Sequence, residues 1–432
     1  MKSKGFVEKY NGDKIGEELS MNQEWNNGLN LDSEIIDKCH EIGPIDIMVG
    51  VLCKNVESTV LSVLNKINEG LYRHFPDYNL AIVVSKAPSS DNTEEAINLF
   101  QPYKSIHTIV TDDLVPGGKG SGVMTIFEIA HEAQAKCVVL MDGDLLSIQP
   151  SWIQTIANPV VYGRADLTVP YYIRDKNDGV ITNNLVYPFT RSLYGIDIRQ
   201  PIAGEFALSK HLYEMLRNHP LLPPDFGIDI FIVTAAAAEG YYVKEGLFSL
   251  KIHESTTHYL EPEKFLIPMF RKVTGSMFEL AKYYEHYWKK KPSRWQPKHH
   301  RECFSQHPIP VNINIDEMNK SFQQEFISNK EYMKNYLPEE LIAQVDHVVN
   351  DKEKFDALLW AKIVYQYAAS YKNLESDADK YTLLDTLKTL WLGRFVSYAH
   401  QVEDMDINGA EIIIQKQAEI FEEQFNYLKK VY

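Results

Sequence analysis

Cysteine is scarce in this chain of 432 residues. Its four cysteines, Cys39, Cys53, Cys137 and Cys303, are widely separated, and no two of them form a C-x-x-C pair. Four scattered cysteines suggest neither a disulfide framework nor a structural zinc site. The pattern therefore favours a protein of a reducing compartment, and we expect it to be cytoplasmic.

Long apolar runs are also missing, and Met1 to Gly5 lead into a polar stretch rich in Asn and Glu. A transmembrane helix needs about 20 consecutive apolar residues. A secretory signal peptide needs an apolar core of about 7 to 15 residues. The sequence shows neither pattern, so we expect no membrane partner and no secretion.

Basic residues are fewer than acidic ones, with 44 Lys and Arg against 59 Asp and Glu and a formal net charge of -15. Nucleic-acid-binding surfaces are usually basic because they neutralise phosphates. The charge balance therefore argues against a nucleic-acid partner. The apolar content of 44% is ordinary for a globular enzyme.

Strand and helix patterns alternate in the first half of the chain. The sequence predicts strands at Ile45–Leu52, Leu80–Val84, Ile106–Val110 and Cys137–Met141. The continuous apolar run of the last one predicts that it is buried on both faces. Helical patterns lie between these strands, at Ser58–Ile67 and Ser121–Ala135. This alternation is typical of an α/β fold with a mainly parallel central sheet.

The pattern becomes largely helical after about residue 260. We therefore predict an N-terminal extension at residues 1–44, an α/β domain at 45–260 and a helical C-terminal domain at 261–432. Amphipathic helices in the last part of the chain also suggest a homodimer, because an apolar helical stripe is usually core or subunit contact.

Two carboxylates, Asp142 and Asp144, follow the fourth predicted strand. Ligands of open α/β sheets bind outside the carboxyl ends of strands, where two such groups can hold Mg²⁺ or Mn²⁺ and contact a ribose. A solvated acidic turn would give the same short pattern. His253 follows another strand-like segment and would complete a mixed carboxylate and imidazole shell if the fold brought it beside Asp144.

A glycine-rich loop, Pro116 to Gly122, precedes the second predicted helix. Small residues let a ligand approach the backbone closely, and Lys119 offers a point charge for a phosphate. The glycine spacing matches neither G-x-x-x-x-G-K-[ST] nor G-x-G-x-x-G, which excludes a P-loop and a dinucleotide fingerprint. A flexible turn before a helix is the alternative interpretation.

Polar groups concentrate in three later segments. Residues 172–184 carry Arg174, Asp178, Thr182 and Asn183. An arginine can grip a carboxylate through two parallel hydrogen bonds, and hydroxyl and amide groups can fix its orientation. Glu205 and Asp229 lie within apolar runs, where an acid needs a partner. Structural salt bridges would satisfy that need equally well.

Taken in order, these motifs resemble those of glucosylglycerate synthases. They are P-G-G-K-G-S-G at 116–122, D-G-D at 142–144, Y-x-x-R-x-x-x-D-G-x-I-T-N-N at 171–184, Q-P-I-A-G-E at 200–205, F-G-I-D-I at 226–230 and K-I-H at 251–253. The sequence is similar, more distantly, to mannosylglycerate synthase and to glucosyl-3-phosphoglycerate synthases. The resemblance covers residues 46 to 277.

The resemblance implies a GT-A fold and a retaining hexosyltransferase that uses a divalent metal, Mg²⁺ or Mn²⁺. The expected donor is a nucleotide-sugar, namely UDP-, GDP- or ADP-glucose or GDP-mannose. The expected acceptor is D-glycerate or a similar small hydroxy acid, so that the product is a compatible solute of the glucosylglycerate type.

The same resemblance assigns roles to individual residues. It implies catalytic roles for Asp229, Arg174, Lys119 and Glu205. It implies donor binding by Leu52, Cys53, Asn55, Glu57, Ser85, Lys119, Asp142, Gly143, Ala203 and Gly204. It implies acceptor binding by Arg174, Asp178, Gly179, Thr182 and Asn183, and metal binding by Asp144, His253 and Asp142.

The chain departs from the family pattern in two places, the first-strand exit Leu52-Cys53-Lys54-Asn55 and the segment Glu254 to His258. These departures leave the nucleotide and the acceptor open. A mannosylglycerate synthase and a glucosyl-3-phosphoglycerate synthase are alternatives, the latter needing an extra cation for its phosphate. Alternatives of other classes are a nucleotidyltransferase, which needs a glycine-rich basic loop after the first strand, and a non-catalytic nucleotide-sugar-binding module.

Overall fold

The computed structural model describes residues 30–254, 266–290, 306–350 and 354–432. Its strands form one seven-stranded sheet in the order β3-β2-β1-β4-β6-β5-β7. The strands are β1 Ile47–Cys53, β2 Leu80–Lys86, β3 Ile106–Asp112, β4 Cys137–Asp142, β5 Leu167–Ile173, β6 Phe206–Ser209 and β7 Val243–Leu250.

Helices connect these strands and continue after them. In the first part of the chain they are α1 Ser33–Ile42, α2 Val60–His74, α3 Thr93–Asn98, α4 Lys119–Glu132, α5 Pro150–Val161, a π-helical turn Thr182–Val186, α6 Tyr187–Tyr194, α7 Lys210–Arg217 and α8 Ile228–Ala238. The later helices are α9 Leu266–Tyr283, α10 Glu285–Trp288, α11 Ile315–Met333, α12 Glu339–Val349, α13 Ala357–Lys372, α14 Asp377–Val402, α15 Ile407–Glu423 and α16 Phe425–Val431.

The predicted α/β class with a mainly parallel sheet is confirmed. Strands β1 to β4 pair in parallel, β7 pairs in parallel with β5, and β6 runs antiparallel to both β4 and β5. The first four strands lie where the sequence predicted them. Strands β1, β2 and β4 are buried almost throughout, and β3 is only partly buried.

The direction of β6 determines which residues lie together at one edge of the sheet. Strands β1, β2, β4, β5 and β7 end at this edge, whereas the antiparallel β6 begins there. The residues that precede β6 therefore join the loops that follow the parallel strands. This edge is where ligands of open α/β sheets bind.

The helical part after β7 packs on the α/β part. Helix α9 contacts α8 and α14, and α15 contacts α6. The stripe Leu384, Leu387, Trp391 and Phe395 lies in the buried core. Helix α1 belongs to the predicted N-terminal extension and buries Cys39. The domain boundaries themselves stay predictions.

None of the helices in the described ranges is both long and apolar enough to cross a bilayer. Three features noted in the sequence fall outside the described residues. They are the first part of the N-terminal extension, residues 1–29, the cysteine Cys303, and residues 255–258 of the second segment that departs from the family pattern.

Candidate functional site

Lys119 is the first residue of helix α4, and its side chain contacts three motifs that are distant in the sequence. Its Nζ lies 2.9 Å from Oδ1 of Asp142, which ends β4, and 3.2 Å from Asp229 in the first turn of α8. It also donates to the carbonyl oxygen of Gly204 at 3.2 Å. The Lys119 side chain is only 11% exposed, so this is a largely desolvated charge cluster.

The electrostatics of this cluster keep the lysine charged. Burial alone would lower the pKa of Lys119, but the carboxylates of Asp142 and Asp229 outweigh burial and raise that pKa. Burial raises the pKa of Asp229, and Lys119 opposes the rise. Helices α4 and α8 both begin here, and helix N-termini favour anions. One lysine and the N-termini of two helices therefore lie together with two carboxylates at this edge of the sheet.

Gly204 occupies a position that only glycine can fill. Its φ is +99°, and a Cβ at this residue would lie 2.5 Å from Oδ2 of Asp142 and 3.2 Å from Nζ of Lys251. Any side chain would be strained and would displace the carboxylate. The loop before β6 therefore closes tightly over the charge cluster.

A second buried cluster lies next to Gly204. Nζ of Lys251 contacts both carboxylate oxygens of Glu205, at 3.0 and 2.8 Å, and donates to the Ala203 carbonyl oxygen at 2.6 Å. The hydroxyl of Tyr172 donates to Glu205 at 2.8 Å. Burial raises the pKa of Glu205 to about 7, against the opposing charge of Lys251. Glu205 thus has the structural salt bridge considered above, and its catalytic role stays a prediction.

Asp144 and His253 meet at the same edge of the sheet. Oδ2 of Asp144 lies 3.6 Å from Nδ1 of His253. The backbone holds the two loops together, because Leu145 forms a β-bridge with His253 and Glu254 N donates to Asp144 O at 3.0 Å. Burial lowers the pKa of His253, which favours the neutral imidazole that metal binding requires.

These two side chains fit a Mg²⁺ or Mn²⁺ ion. Among the described residues, no group of three or more His, Cys, Asp and Glu side chains surrounds a common point. Mg²⁺ is often held by one or two carboxylates, with water and substrate phosphates completing its shell. Asp142, also predicted on the metal, is paired with Lys119 in this structure, and its metal role stays a prediction.

The predicted acceptor residues line one small cavity of about 30 Å³, which we call the acceptor-side cavity. Nε of Arg174 donates to Asp178 at 2.8 Å, and Nη2 of Arg174 lies 3.3 Å from Nε2 of His253. Arg174 therefore joins this cavity to the candidate metal pair. Its lining residues are Tyr171, Tyr172, Arg174, Asp175, Lys176, Asp178, Gly179, Thr182, Asn183, Arg199, Gln200, Ile407, Ala410, Glu411 and Ile414.

The exit of β1 meets the loop after β4. Gly143 N donates to Leu52 O at 3.0 Å, and a Cβ at Gly143 would lie 2.8 Å from that oxygen. Burial raises the pKa of Cys53 to about 12, so its side chain is a neutral thiol. Leu52 and Cys53 therefore lie directly beside Gly143 of the D-G-D motif.

Of the other predicted donor residues, Asn55 and Glu57 bind the loop that follows β2, and Ser85 binds the residue that follows β3. The Asn55 side chain accepts from Ser90 N at 2.7 Å, and the Glu57 carboxylate accepts from Asn92 N at 2.7 Å. Ser85 Oγ donates to Asp113 at 2.6 Å. These contacts give Asn55 and Glu57 a structural use, and donor binding by them stays a prediction.

The glycine-rich loop packs against the chain before α8. Gly118 N donates to Pro224 O at 2.9 Å, and a Cβ at Gly120 would lie 2.0 Å from Pro223 O. These glycines are therefore needed for close contact between two chain segments. That contact fixes the start of α4, and with it Lys119, beside the start of α8 and Asp229.

Lys251, Tyr172 and Arg199 were not singled out as functional from the sequence, although all lie at the site. Lys251 could have been found, because it precedes His253 by two residues and residues so spaced share a face in extended chain. Arg199 pairs with Glu411, 212 residues away, and no local pattern indicates such a pair.

No protein-family model matches this chain, and no curated protein matches it either. Among solved structures, it is similar to glucosyl-3-phosphoglycerate synthase from Mycobacterium tuberculosis in complex with Mn²⁺, UDP and phosphoglyceric acid, at 21% identity and a TM-score of 0.43 over 57% of this chain and 82% of that one. A complex of the same enzyme with Mg²⁺ and UDP gives 21% identity and a TM-score of 0.43 over 57% and 83%.

A further similar structure is a mycobacterial protein, at 20% identity and a TM-score of 0.44 over 58% of this chain and 80% of that one. At these identities and scores, the similarity transfers neither an activity nor a binding site. The function of this chain must therefore be inferred from its own residues.

Proposed function

We propose that this chain is a retaining glycosyltransferase of the GT-A type. It transfers a hexose, glucose in the first instance, from a nucleotide-sugar to D-glycerate or a similar small hydroxy acid. The observation that carries this proposal is the meeting of Lys119 with Asp142 and Asp229, beside the pair formed by Asp144 and His253.

The charge cluster suits the diphosphate and the sugar of the donor. Lys119 is positively charged and lies at a helix N-terminus, so it can stabilise negative charge that develops on the leaving diphosphate. Asp229 contacts the same amine, and it can orient the hexose through its hydroxyl groups. Both groups are held in place before any ligand binds, which favours catalysis by orientation.

Asp144 and His253 would hold Mg²⁺ or Mn²⁺, which supplies a Lewis acid for the diphosphate when bound. The carboxylate is a suitable ligand for either ion, and the imidazole would add one nitrogen ligand. Arg174 contacts His253 at 3.3 Å, so an acceptor carboxylate held by its guanidinium would lie close to the donor phosphates. Under this proposal, donor and acceptor would lie next to each other.

The transfer breaks the bond between the anomeric carbon and the leaving phosphate oxygen, and it forms a bond from the same carbon to the acceptor hydroxyl oxygen. The acceptor proton passes to the leaving phosphate oxygen, so no protein base is consumed and no covalent enzyme intermediate is needed. Lys119 stabilises the diphosphate as it departs, and Arg174 positions the acceptor.

The test is incubation of the purified full chain with UDP-, GDP- or ADP-glucose, or GDP-mannose, together with Mg²⁺ and D-glycerate. We expect release of a nucleoside diphosphate that depends on the acid, and a glycoside that keeps the anomeric configuration by NMR. Asp229→Asn should abolish this release. Asp112→Asn, at a carboxylate that is 84% exposed, should not affect it.

Other outcomes would identify the alternatives. Release of pyrophosphate from a nucleoside triphosphate would indicate a nucleotidyltransferase. Donor binding without turnover would indicate a binding module. A cytoplasmic location and a homodimer also belong to the proposal, supported by the cysteine pattern and the amphipathic C-terminal helices respectively.

A further inference from the structure

The acceptor-side cavity has three cationic side chains in its lining, Arg174, Lys176 and Arg199. Lys176 is fully engaged at the end of α14, where its Nζ donates to three backbone carbonyl oxygens, those of Val402, Glu403 and Met405. Arg174 contacts Asp178 and His253. The remaining cation is Arg199, and its hydrogen-bond partners limit which further groups this cavity can bind.

Arg199 is held from two sides and is nearly inaccessible to water. Its Nε donates to both carboxylate oxygens of Glu411 at 3.0 Å, and its Nη2 donates to Oδ1 of Asn183 at 2.8 Å. Its side chain is 5% exposed. Nη1 is buried and has no hydrogen-bond partner among the described residues. A guanidinium with an unused donor therefore lies beside Asn183, a predicted acceptor residue.

Glu411 comes from helix α15 and thus from the helical C-terminal part of the chain. It neutralises Arg199, and the cavity lining as a whole carries three cationic and three acidic side chains, the acids being Asp175, Asp178 and Glu411. A phosphate brought to Arg199 would face the Glu411 carboxylate at close range, and like charges so placed repel strongly.

We propose that Glu411 determines acceptor specificity. By occupying Arg199, it closes the acceptor-side cavity to a phosphorylated hydroxy acid, so that the unphosphorylated acid is the acceptor. This inference rests on the proposed function, since it concerns the acceptor of that reaction. It assigns the C-terminal helical part a direct role in substrate choice.

The substitution Glu411→Gln isolates the charge. Glutamine keeps the length of the side chain and one acceptor oxygen for Arg199 Nε, but it removes the carboxylate. Arg199 would then be a buried charge without a counterion, a costly state that a phosphate can relieve through paired N–H···O bonds. Glu423→Gln is the matched control, because it removes the same charge from an exposed position on the same helix.

The experiment measures binding of two probes, D-glycerate and 3-phospho-D-glycerate, to the full chain by calorimetry in the presence of Mn²⁺ and a nucleoside diphosphate. We expect the wild-type chain to bind D-glycerate in preference. Glu411→Gln should shift the affinity ratio toward the phosphorylated acid by about tenfold or more, and Glu423→Gln should leave the ratio unchanged. Arg199→Lys combined with Glu411→Gln should remove most of the gain.

Wild-type preference for the phosphorylated acid would overturn the inference, and this outcome does not depend on the folding of any variant. An unchanged ratio in a folded Glu411→Gln variant, or no binding of either acid, would also overturn it. Transfer assays run in parallel separate the two claims. Selective binding without glycosyl transfer refutes the proposed function but leaves the specificity of the cavity established.

Discussion

Replacing Lys119 with methionine removes the amine that joins Asp142 to Asp229 while nearly keeping the volume of the side chain. Both carboxylates would remain in a largely desolvated place, where the exposed fractions of their side chains are 25% and 12%. We expect a loss of stability and a loss of activity from the same change.

The size of the stability loss follows from burial. Breaking a buried ion pair by removing one partner costs about 3 to 5 kcal/mol. Because Asp142 is one-quarter exposed, water stabilises part of its charge. We therefore expect the free energy of unfolding to fall by about 3 kcal/mol, the lower end of this range. Loss of one preorganised charge at a developing anion lowers kcat by about 10² to 10³-fold.

The assay is urea unfolding of the wild type, Lys119→Met and the double variant Lys119→Met with Asp229→Asn. Burial already raises the pKa of Asp229, and loss of Lys119 raises that pKa further. An acid with a raised folded-state pKa destabilises the protein as pH rises. The loss in Lys119→Met should therefore be largest at neutral pH and should shrink as pH falls toward the usual aspartate range.

The double variant should regain stability relative to Lys119→Met, since one of the unpaired charges is gone. Two results would refute this reasoning. One is an unfolding free energy of Lys119→Met equal to that of the wild type at pH 7. The other is a stability difference that does not change with pH.

Three further predictions concern the neighbouring residues. Asp144→Ala should weaken Mn²⁺ binding by more than about tenfold and abolish metal-dependent turnover, without altering the unfolding curve. If calorimetry gives the variant and the wild type equal affinity for Mn²⁺, the metal binds elsewhere. Gly204→Ala, at a φ of +99°, should cost about 1 to 3 kcal/mol of stability and abolish nucleoside diphosphate binding. A variant that binds the diphosphate as tightly as the wild type would contradict the close packing described. The pKa of Glu205 is raised from its usual 4.5 to about 7. The stability of the wild type relative to Glu205→Gln should therefore fall as pH rises from 4.5 to 7. A stability difference that does not change with pH in denaturant titrations would contradict this prediction.

Strands β1, β2 and β4 could be predicted because burial on both faces leaves nearly continuous apolar runs in the sequence, whereas β3 is only partly buried. Strand β6, Phe206–Ser209, could not. It has four residues, and periodicity carries no information on strand direction. Its antiparallel pairing with β4 and β5 nevertheless decides that Gly204 and Glu205 lie at the same edge as Asp142.

The candidate site shows the same division. Asp142, Asp144 and Lys119 could be proposed from motifs at the ends of strands and the start of a helix. The pairing of Arg199 with Glu411 could not, because it joins the α/β part to a helix 212 residues later. Such contacts depend on tertiary packing, which local propensity does not encode.

The central claim is that Asp144 and His253 hold a divalent ion beside the diphosphate of a nucleotide-sugar. The most direct test is a crystal soaked with Mn²⁺ and a nucleoside diphosphate, measured for anomalous scattering from manganese. We predict one strong peak within coordination distance of Asp144 Oδ2 and a ring nitrogen of His253, with phosphate oxygens next to it. A peak at other residues, or a diphosphate bound away from Lys119, would contradict the account.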